Sequence, residues 1–168
     1  DPDHKEREFL TLDELTAMTE IKLEDPNMAF ARDLFIFGCW TGISFIDIKN
    51  LTEDNISMIN GAPWIVSKRQ KTGVPFQIKL MDIPMQIIGR YKAFRKGSHL
   101  FNIGNLDSIN KRIKKVAAMC GIKKRVSFHV SRHSWAVLAL EYGMPIESVS
   151  KILGHTNITT TQIYAKVT

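Results

Sequence analysis

The sequence contains few cysteines and no long hydrophobic run. Only two of its 168 residues are cysteines, and neither has other ligands nearby at metal-site spacing, so no disulfide framework or zinc site is predicted. The longest apolar run, Leu34 to Trp40, is far shorter than the roughly 20 residues of a membrane span. The N-terminus also lacks a signal-peptide pattern. We therefore expect a soluble protein of a reducing cytoplasm.

Acidic residues are scarce in most of the chain. Residues 1–27 hold nine acidic and three basic residues, a charge of −6. Because the whole chain carries +6, residues 28–168 carry +12. A field of that sign attracts polyanions and speeds their capture. Nucleic acid is the predicted partner, although a surface of solvated lysines would give the same composition.

The pattern of apolar residues predicts one mainly helical domain with a small sheet. A hydrophobic content of 44% is enough for a single core in a chain of this length. Helices are predicted at about 12–24, 28–40, 44–51, 84–97, 107–120, 130–142, 146–153 and 158–166. Turn residues separate three predicted antiparallel strands at about 56–59, 64–70 and 76–80. The predicted class is α+β with helices dominating.

Capping and turn residues set the expected boundaries. The acidic segment 1–8 is typical of the end of an interdomain linker, so we expect the folded domain to extend over 9–168. Thr11 and Glu14 form a predicted capping box at the first helix. Pro26 and Asn27 are expected to break the first helix, and the second helix is expected to begin at Met28.

The strongest local motif for chemistry is His129-Val130-Ser131-Arg132, at the start of a predicted helix. Residues three apart share a helical face, so the imidazole and the guanidinium point the same way. Arginine offers a planar fork of donors that matches phosphate oxygens, and histidine exchanges a proton near neutral pH. The pair suits phosphoryl chemistry, although a helix-start histidine and a surface arginine also occur together by chance.

A second motif lies close to the end of the chain. Leu153-Gly154-His155 is followed, nine residues after the histidine, by Tyr164. Gly154 can close one helix in the left-handed conformation and leave His155 on a tight turn. Taken alone, Tyr164 would be a half-buried aromatic residue with a solvated hydroxyl. Its position after these two motifs changes that interpretation.

The order and spacing of these residues resemble the C-terminal motifs of tyrosine recombinases, also called phage integrases. Thr41-Gly42 with Asp47-Ile48-x-x-Leu51 resembles the first active-site segment of the family. Lys68-Arg69-Gln70-Lys71-Thr72 resembles its hairpin with a catalytic lysine. The resemblance covers the chain from about Phe9 onward, and it is greatest to integrases of mobile elements of the Bacteroides group.

The resemblance implies a fold and a set of roles. The fold would be the catalytic fold of DNA breaking-rejoining enzymes, and Tyr164 would form a covalent 3'-phosphotyrosine link to DNA. The other implied roles are phosphate clamping by Arg132, proton transfer by His129, hydrogen bonding to a non-bridging oxygen by His155, protonation of the leaving 5'-oxygen by Lys71, and orientation of a catalytic side chain by Asp47. No metal, ATP or other cofactor would be needed, because the protein link retains the bond energy and cationic side chains stabilise the developing charge.

One position departs from the family pattern. Where the family has an arginine in its T-G-x-R motif, this chain has Ser44. Loss of one preorganised donor typically costs on the order of 10²–10³ in rate. Arg69 lies two residues before Lys71, and strand alternation would place both side chains on one face of the hairpin. We therefore expect Arg69 to replace the missing arginine, with Arg32 and Lys49 as the alternatives.

A basic segment outside these motifs predicts contacts to the DNA backbone. Between Ser108 and Arg125 there are seven basic residues and no acidic one. Each phosphate that they neutralise would steepen the salt dependence of binding, whereas a solvated surface would not. The predicted DNA-binding residues are Lys111, Arg112, Lys115, Lys124 and Arg125.

Three other interpretations stay open at this point. A type IB topoisomerase would share the fold and the chemistry but would relax supercoils, and the short chain disfavours it. A DNA-binding module that has lost catalysis is favoured by Ser44. A helix-turn-helix regulator would use residues 130–153 as its two helices, but the second of these is mostly apolar where base-reading side chains are needed.

The resemblance also implies an assembly. Tyrosine recombinases usually carry an N-terminal domain that clasps DNA and a C-terminal segment that docks on a neighbouring subunit, and neither is expected within this chain. We predict that the intact protein forms a homotetramer on two DNA duplexes. The chain alone is expected to be a monomer that binds double-stranded DNA weakly.

Overall fold

A computed structural model describes residues 8–155 and 157–165 of the protein. Its helices are α1 (Leu12–Glu20), α2 (Pro26–Thr41), α3 (Phe45–Asn50), α4 (Asp82–Arg90), α5 (Leu106–Met119), α6 (Val130–Glu141), α7 (Ile146–Leu153) and α8 (Ile158–Ala165). Its strands are β1 (Ile56–Ile59), β2 (Ala62–Lys68) and β3 (Pro75–Lys79). The predicted α+β class is confirmed. Apart from residue 8, the predicted linker lies outside the described residues.

The three strands form one antiparallel sheet in the order β1-β2-β3. Ile65 of β2 pairs with Ile56 on one side and with Ile78 on the other. Ile65 and Ile78 are both buried, because alternate residues of a strand point to the same face. The buried face of the sheet therefore packs against the helical core, and residues 70–74 of the β2-β3 turn are exposed.

The long helix α2 runs through the core and is buried on most of its sides. Phe35 and Phe37 are fully buried, and α2 packs against α1, α4, α5 and α6. The expectation that Pro26 and Asn27 form the break before the second helix is wrong, because both residues belong to α2 and Pro26 is its first residue. Proline is allowed there since the first amide of a helix has no intrahelical partner. Asp25 caps the helix by accepting a hydrogen bond from the amide of Asn27 at 2.8 Å.

The first helix begins as predicted and ends earlier. Thr11 and Glu14 form the predicted capping box, with both of its hydrogen bonds present. Helix α1 stops at Glu20 rather than at about residue 24, because the Arg32 guanidinium binds the carbonyl oxygens of Met18 and Ile21 at 2.9 and 3.0 Å. These carbonyls are satisfied by a side chain instead of by a further helical turn.

Of the helices that follow the sheet, α4 differs most from the prediction, at its C-terminal end. Helix α4 ends at Arg90, and a 3-10 turn, Lys92–Phe94, continues toward Gly97 in place of the predicted single helix. Helix α7 has the predicted bounds, and α6 and α8 agree with them within a residue over the described part. Among the helices of residues 8–155 and 157–165, none combines the length and apolarity needed to cross a bilayer.

Candidate active site

The turn after α2 directs the chain toward the candidate site. Gly42 ends α2 with a left-handed backbone, φ 74°, a conformation that glycine adopts without strain. A Cβ atom at Gly42 would lie 2.6 Å from the ring of Trp135, so the close approach of α6 also requires glycine. The buried hydroxyl of Thr41 donates to the carbonyl of Phe37 at 2.8 Å. The Thr41-Gly42 motif is therefore explained by packing, and it leads directly into Ser44.

Ser44 begins α3 and contacts Asp47. Its hydroxyl donates to Oδ2 of Asp47 at 2.8 Å, and it caps the helix. The other carboxylate oxygen, Oδ1, accepts the backbone amide of Gln70 at 2.9 Å. Asp47 is buried, so these two bonds compensate a charge that would otherwise be costly to desolvate. The carboxylate thereby ties α3 to the base of the β2-β3 hairpin.

Arg69 occupies the space next to Ser44. It lies directly after β2, and a small cavity, too narrow to hold a water molecule, is lined by Gly42, Ser44, Asp47 and Arg69 among others. Burial lowers the pKa of Arg69, and attraction by Asp47 opposes that shift. Ser44 lacks a long side chain, and the Arg69 guanidinium reaches the same cavity from the hairpin.

Arg132 interacts electrostatically with Arg69. Burial, and next repulsion by the Arg69 guanidinium, lower the pKa of Arg132 to about 10. Attraction by Tyr164 and Asp47 opposes that shift. Arg132 therefore stays cationic at neutral pH, and its charge interacts with three other predicted site residues, Asp47, Arg69 and Tyr164.

The C-terminal end of α7 holds the two arginines together. Nη2 of Arg69 donates to the carbonyl of Ile152 at 3.1 Å, and Nη2 of Arg132 donates to the carbonyl of Leu153 at 2.6 Å. The last carbonyls of a helix lack intrahelical partners and carry partial negative charge, so they favour nearby cations. This arrangement offsets the repulsion between the two guanidinium groups.

Gly154 is required by this contact. It has φ 72°, and a Cβ atom there would lie 2.4 Å from Nε of Arg69 and 2.8 Å from its Cδ. Any larger residue would therefore displace the arginine or strain the turn. The glycine of the Leu153-Gly154-His155 motif has a packing role toward Arg69 as well as a conformational one.

His129 lies at the N-terminal end of α6. It is exposed, and its φ and ψ of −60° and −27° continue the helix backward by one residue. The preceding amide, of Phe128, donates to Oδ1 of Asn110 on α5 at 2.7 Å. Asn110 therefore fixes the backbone from which His129 and Arg132 project, and no sequence motif indicated it.

His155 follows the α7 C-cap and contacts α8. Its Nδ1 lies 2.6 Å from the hydroxyl of Thr161, which is fully buried. The hydrogen bond orients the imidazole relative to the helix that carries Tyr164. His155 is thereby tied to α8, the helix that also carries Tyr164.

Tyr164 is buried, with 5% of its surface exposed. Its hydroxyl is hydrogen-bonded to Nδ1 of His133, and the two ring centroids are 5.6 Å apart. His133 was not among the predicted site residues. The signal that could have identified it is its spacing, because it follows Arg132 directly and lies one helical turn after His129.

Lys71 does not share a strand face with Arg69, contrary to the argument from alternation. Strand β2 ends at Lys68, and Lys71 lies in the turn that the Arg69 and Gly73 backbones close with a 2.7 Å hydrogen bond. Strand alternation therefore does not extend to Lys71, whose side chain is exposed.

The two alternatives to Arg69 lie elsewhere. Arg32 is buried, donates to Asp33 at 2.7 Å and binds the end of α1. The ammonium group of Lys49 contacts the carbonyl of Gly104 at 3.4 Å. Neither Arg32 nor Lys49 lines the cavity beside Ser44, so the geometry favours Arg69.

The predicted DNA-binding residues follow α5 and the loop after it. Lys111, Lys115 and Arg125 are exposed and Arg112 is partly exposed. Lys124 differs, because its ammonium group donates to Glu14 at 2.7 Å and to the carbonyl of Phe9 at 2.9 Å. It anchors the N-terminal segment and is therefore less available to phosphate than its neighbours.

The chain belongs to the phage integrase family, whose family model matches residues 8–168. Tyrosine recombinase XerC of Neisseria meningitidis serogroup B is 27% identical over 164 residues, which cover 91% of this chain and 54% of that protein. Most of this chain is covered by the match, but the chain spans only about half the length of these curated relatives. Both cysteines of this chain are free thiols.

Solved structures share the fold. XerH site-specific recombinase, in a post-cleavage complex with a palindromic difH substrate, has a TM-score of 0.80 at 19% identity, covering 97% of this chain and 50% of that one. The Tn1549 transposon integrase, in complex with a circular intermediate DNA, has a TM-score of 0.74 at 18% identity, covering 96% and 62%. These likenesses confirm the predicted fold, that of tyrosine recombinase catalytic domains.

Proposed function

We propose that the chain is the catalytic domain of a site-specific DNA recombinase that cuts and rejoins DNA through a 3'-phosphotyrosine intermediate. The observation that carries the proposal is geometric: Arg69 and Arg132 bind neighbouring carbonyls at the end of α7, and the residue after Arg132, His133, is hydrogen-bonded to the Tyr164 hydroxyl. Two cations beside a phenol match the needs of a phosphodiester under attack, because the transition state gains negative charge on its non-bridging oxygens. Membership of the phage integrase family supports the same reaction.

The proposed first step is attack by the Tyr164 oxygen on the scissile phosphorus. The bond between phosphorus and the 5'-oxygen breaks, and Lys71 protonates that oxygen as it leaves. Arg132 and His155 bind the non-bridging oxygens, and His129 assists proton transfer. In the second step a 5'-hydroxyl of another strand attacks the phosphotyrosine and releases Tyr164. Because Tyr164 is only 5% exposed, attack requires a shift of α8 when DNA binds.

Two transesterifications conserve the number of phosphodiester bonds, so we propose that neither ATP nor a metal ion takes part. The protein link stores the energy of the broken bond until the strand is rejoined. Side chains supply the positive charge that a metal ion supplies in other nucleases. Activity that persists in a chelator and without nucleotide is the expected result.

We further propose that Arg69 takes the part of the arginine that the family has at the position of Ser44. Its guanidinium lines the cavity beside Ser44 and Asp47, and it lies near enough to Arg132 to lower that residue's pKa. Its Nε is buried without a hydrogen-bond partner among the described residues. A buried charged donor that lacks a partner is unusual for a purely structural arginine.

The proposed substrate is double-stranded DNA, at the ends of a mobile element that is integrated or excised. The solved Tn1549 transposon integrase is in complex with a circular intermediate DNA, which supports this class of substrate. A homotetramer on two duplexes is proposed for the whole protein. The chain alone is proposed to be a monomer, and size-exclusion chromatography of the chain would test this. Kinship with integrases of Bacteroides-type elements and a cytoplasmic location stay predictions.

The experiment is covalent capture on nicked duplex DNA with a randomised core. A nick beside the scissile phosphate lets the released fragment diffuse away, so the protein stays linked to DNA. We expect an adduct that survives denaturation and is absent for Tyr164→Phe. Captured sequences then supply a defined substrate. No adduct from the folded wild-type chain, or an equal yield from Tyr164→Phe, would contradict the proposal.

A catalytically weakened DNA-binding module is the second candidate, and Ser44 is the observation that favours it. In that case Arg69 would only stabilise the α7 C-terminus through the Ile152 carbonyl. The chain would then bind the duplexes in a salt-dependent way without forming an adduct. Binding and capture measured on the same DNA separate the two functions.

A further inference from the structure

Tyr164, the proposed nucleophile, is hydrogen-bonded to His133, a residue with no part in the reaction steps proposed so far. The Tyr164 hydroxyl is hydrogen-bonded to Nδ1 of His133, and the rings lie 5.6 Å apart at an interplanar angle of 35°. Both side chains are buried, with 5% of Tyr164 and 7% of His133 exposed. The contact joins α8 to α6 across 31 residues of sequence, so it is tertiary.

A phenol is a weak nucleophile until it loses its proton, and an adjacent base is the usual means of activation. A neutral imidazole can accept that proton near neutral pH. The base must lie within hydrogen-bond reach of the proton that it removes. Nδ1 of His133 meets this requirement for Tyr164, and the tautomer needed is the one with its hydrogen on Nε2.

His129 occupies a different position. It lies one helical turn before His133, at the exposed start of α6, and the two imidazole rings contact edge to face with centroids 4.5 Å apart. A buried base against the phenol and an exposed imidazole at the helix start suit different tasks. Two adjacent imidazoles also disfavour double protonation, because like charges at this distance repel.

The charged surroundings are suited to a phenolate. Arg132 interacts attractively with Tyr164 and would stabilise its anion. Arg69 and Asp47 interact with Arg132 in turn, and α7 contributes the carbonyl ends that hold both arginines. On α2, the buried Cys39 thiol contacts Ser134, the residue after His133.

We propose that His133 is the general base that takes the phenol proton as Tyr164 attacks, an inference that rests on the proposed recombinase function. In the balanced step, the Tyr164 oxygen bonds to phosphorus and its proton moves to Nδ1 of His133. The bond from phosphorus to the 5'-oxygen breaks, and that oxygen takes a proton from Lys71. On rejoining, the imidazolium returns its proton to the departing phenolate, and Lys71 accepts one from the attacking hydroxyl.

The first test replaces His133 with asparagine, whose amide can hold the hydroxyl near the Nδ1 position but cannot take up a proton. With the captured nicked duplex, we expect His133→Asn to slow adduct formation by about 10²-fold or more. The matched control is His99→Asn, since His99 is exposed and pairs with Thr52 in an isolated bridge rather than with a residue of the candidate site. The wild-type rate should fall at acidic pH as the imidazole becomes protonated, and this fall should be missing from the pH profile of His133→Asn. A purely structural effect of the substitution would lower the rate without removing that fall.

A second measurement changes the phenol instead of the base. Site-specific incorporation of a fluorinated tyrosine at position 164 lowers the pKa of the nucleophile and reduces the need for a base. It should restore much of the rate of His133→Asn. The other substrate is a duplex with a 5'-bridging phosphorothiolate, whose sulfur leaves without protonation. It should restore the rate of adduct formation by Lys71→Ala but not the rate by His133→Asn. These two rescues assign the two proton transfers to different residues.

The outcomes separate the two proposals. If the wild type forms a Tyr164 adduct and His133→Asn forms it at the rate and pH profile of His99→Asn, the general-base role is wrong while the recombinase function stands. Rescue of His133→Asn by the phosphorothiolate, with none by fluorotyrosine, would also overturn it. If the wild type forms no adduct, the recombinase function itself fails. A slow His133→Asn variant that fluorotyrosine accelerates supports the inference.

Discussion

Replacing Arg69 with alanine tests whether an arginine from the hairpin can take the place of one at Ser44. In the structure its Nη2 donates to the carbonyl of Ile152 at 3.1 Å, and the guanidinium lines the cavity beside Ser44 and Asp47. Removing one such hydrogen bond destabilises the fold by about 1 kcal/mol. The variant should therefore fold, with a slightly lower urea midpoint.

The expected kinetic effect is larger than the effect on stability. A preorganised donor to a developing oxyanion contributes about 3–4 kcal/mol, so Arg69→Ala should slow adduct formation by about 10²–10³-fold. Lysine keeps the charge but lacks the planar fork of donors. Arg69→Lys should therefore recover only part of the rate.

The assay is single-turnover capture on the nicked duplex, with urea unfolding measured on the same preparations. Lys68→Ala is the matched control, because it removes one positive charge from the adjacent, exposed position at the end of β2. It lowers the general attraction for DNA without touching the cavity. If Arg69→Ala cleaves as fast as Lys68→Ala, Arg69 has no part in the reaction and the argument from the Ser44 cavity is refuted.

Two further predictions concern the turn after α7 and the basic segment. Gly154→Ala should abolish most adduct formation, since its Cβ would lie 2.4 Å from Nε of Arg69. The control is Gly121→Ala, which has a similar φ of 73° and no atom within 4 Å of its Cβ. Left-handed strain costs about 1–2 kcal/mol, so the control should be less stable but should form the adduct at the wild-type rate. Lys115→Ala should reduce the slope of log affinity against log salt by about 0.9 if this lysine neutralises a phosphate. Lys124→Ala, which loses contacts within the protein, should instead lower the free energy of unfolding by up to about 1 kcal/mol and leave that slope nearly unchanged. Equal slopes for the wild type, Lys115→Ala and Lys124→Ala would contradict a contact between Lys115 and a DNA phosphate.

Elements with strong local signals could be predicted from the sequence. The capping box of Thr11 and Glu14 and the bounds of α7 depend on residues within a few positions of each other, and local rules describe them. Pro26 misled the prediction because proline both ends a helix and begins one, and the side chain of Asp25 decides between the two. The early end of α1 required Arg32, which is distant in sequence.

The resemblance predicted the members of the candidate site, and the structure only partly matches the geometry that was expected of them. Arg132, His155 and Tyr164 were chosen because their order and spacing match the family motifs, and their catalytic roles stay predictions. Strand alternation gave the wrong reason for Arg69, since β2 ends one residue before it. His133 was missed because its spacing from His129 and Arg132 only suggests a shared helical region, whereas its contact with Tyr164 depends on the packing of α8 against α6.

The sequence by itself determined the periodicity, the caps, the positive charge of residues 28–168 and the set of chemical groups, because each depends on residue type and short-range spacing. Only the tertiary structure decided which groups meet. Arg69 reaches a carbonyl 83 positions away, and the Tyr164 hydroxyl meets an imidazole 31 positions away. Such contacts depend on how α3, the hairpin, α6, α7 and α8 pack together, and packing is a property of the whole core that no local pattern encodes.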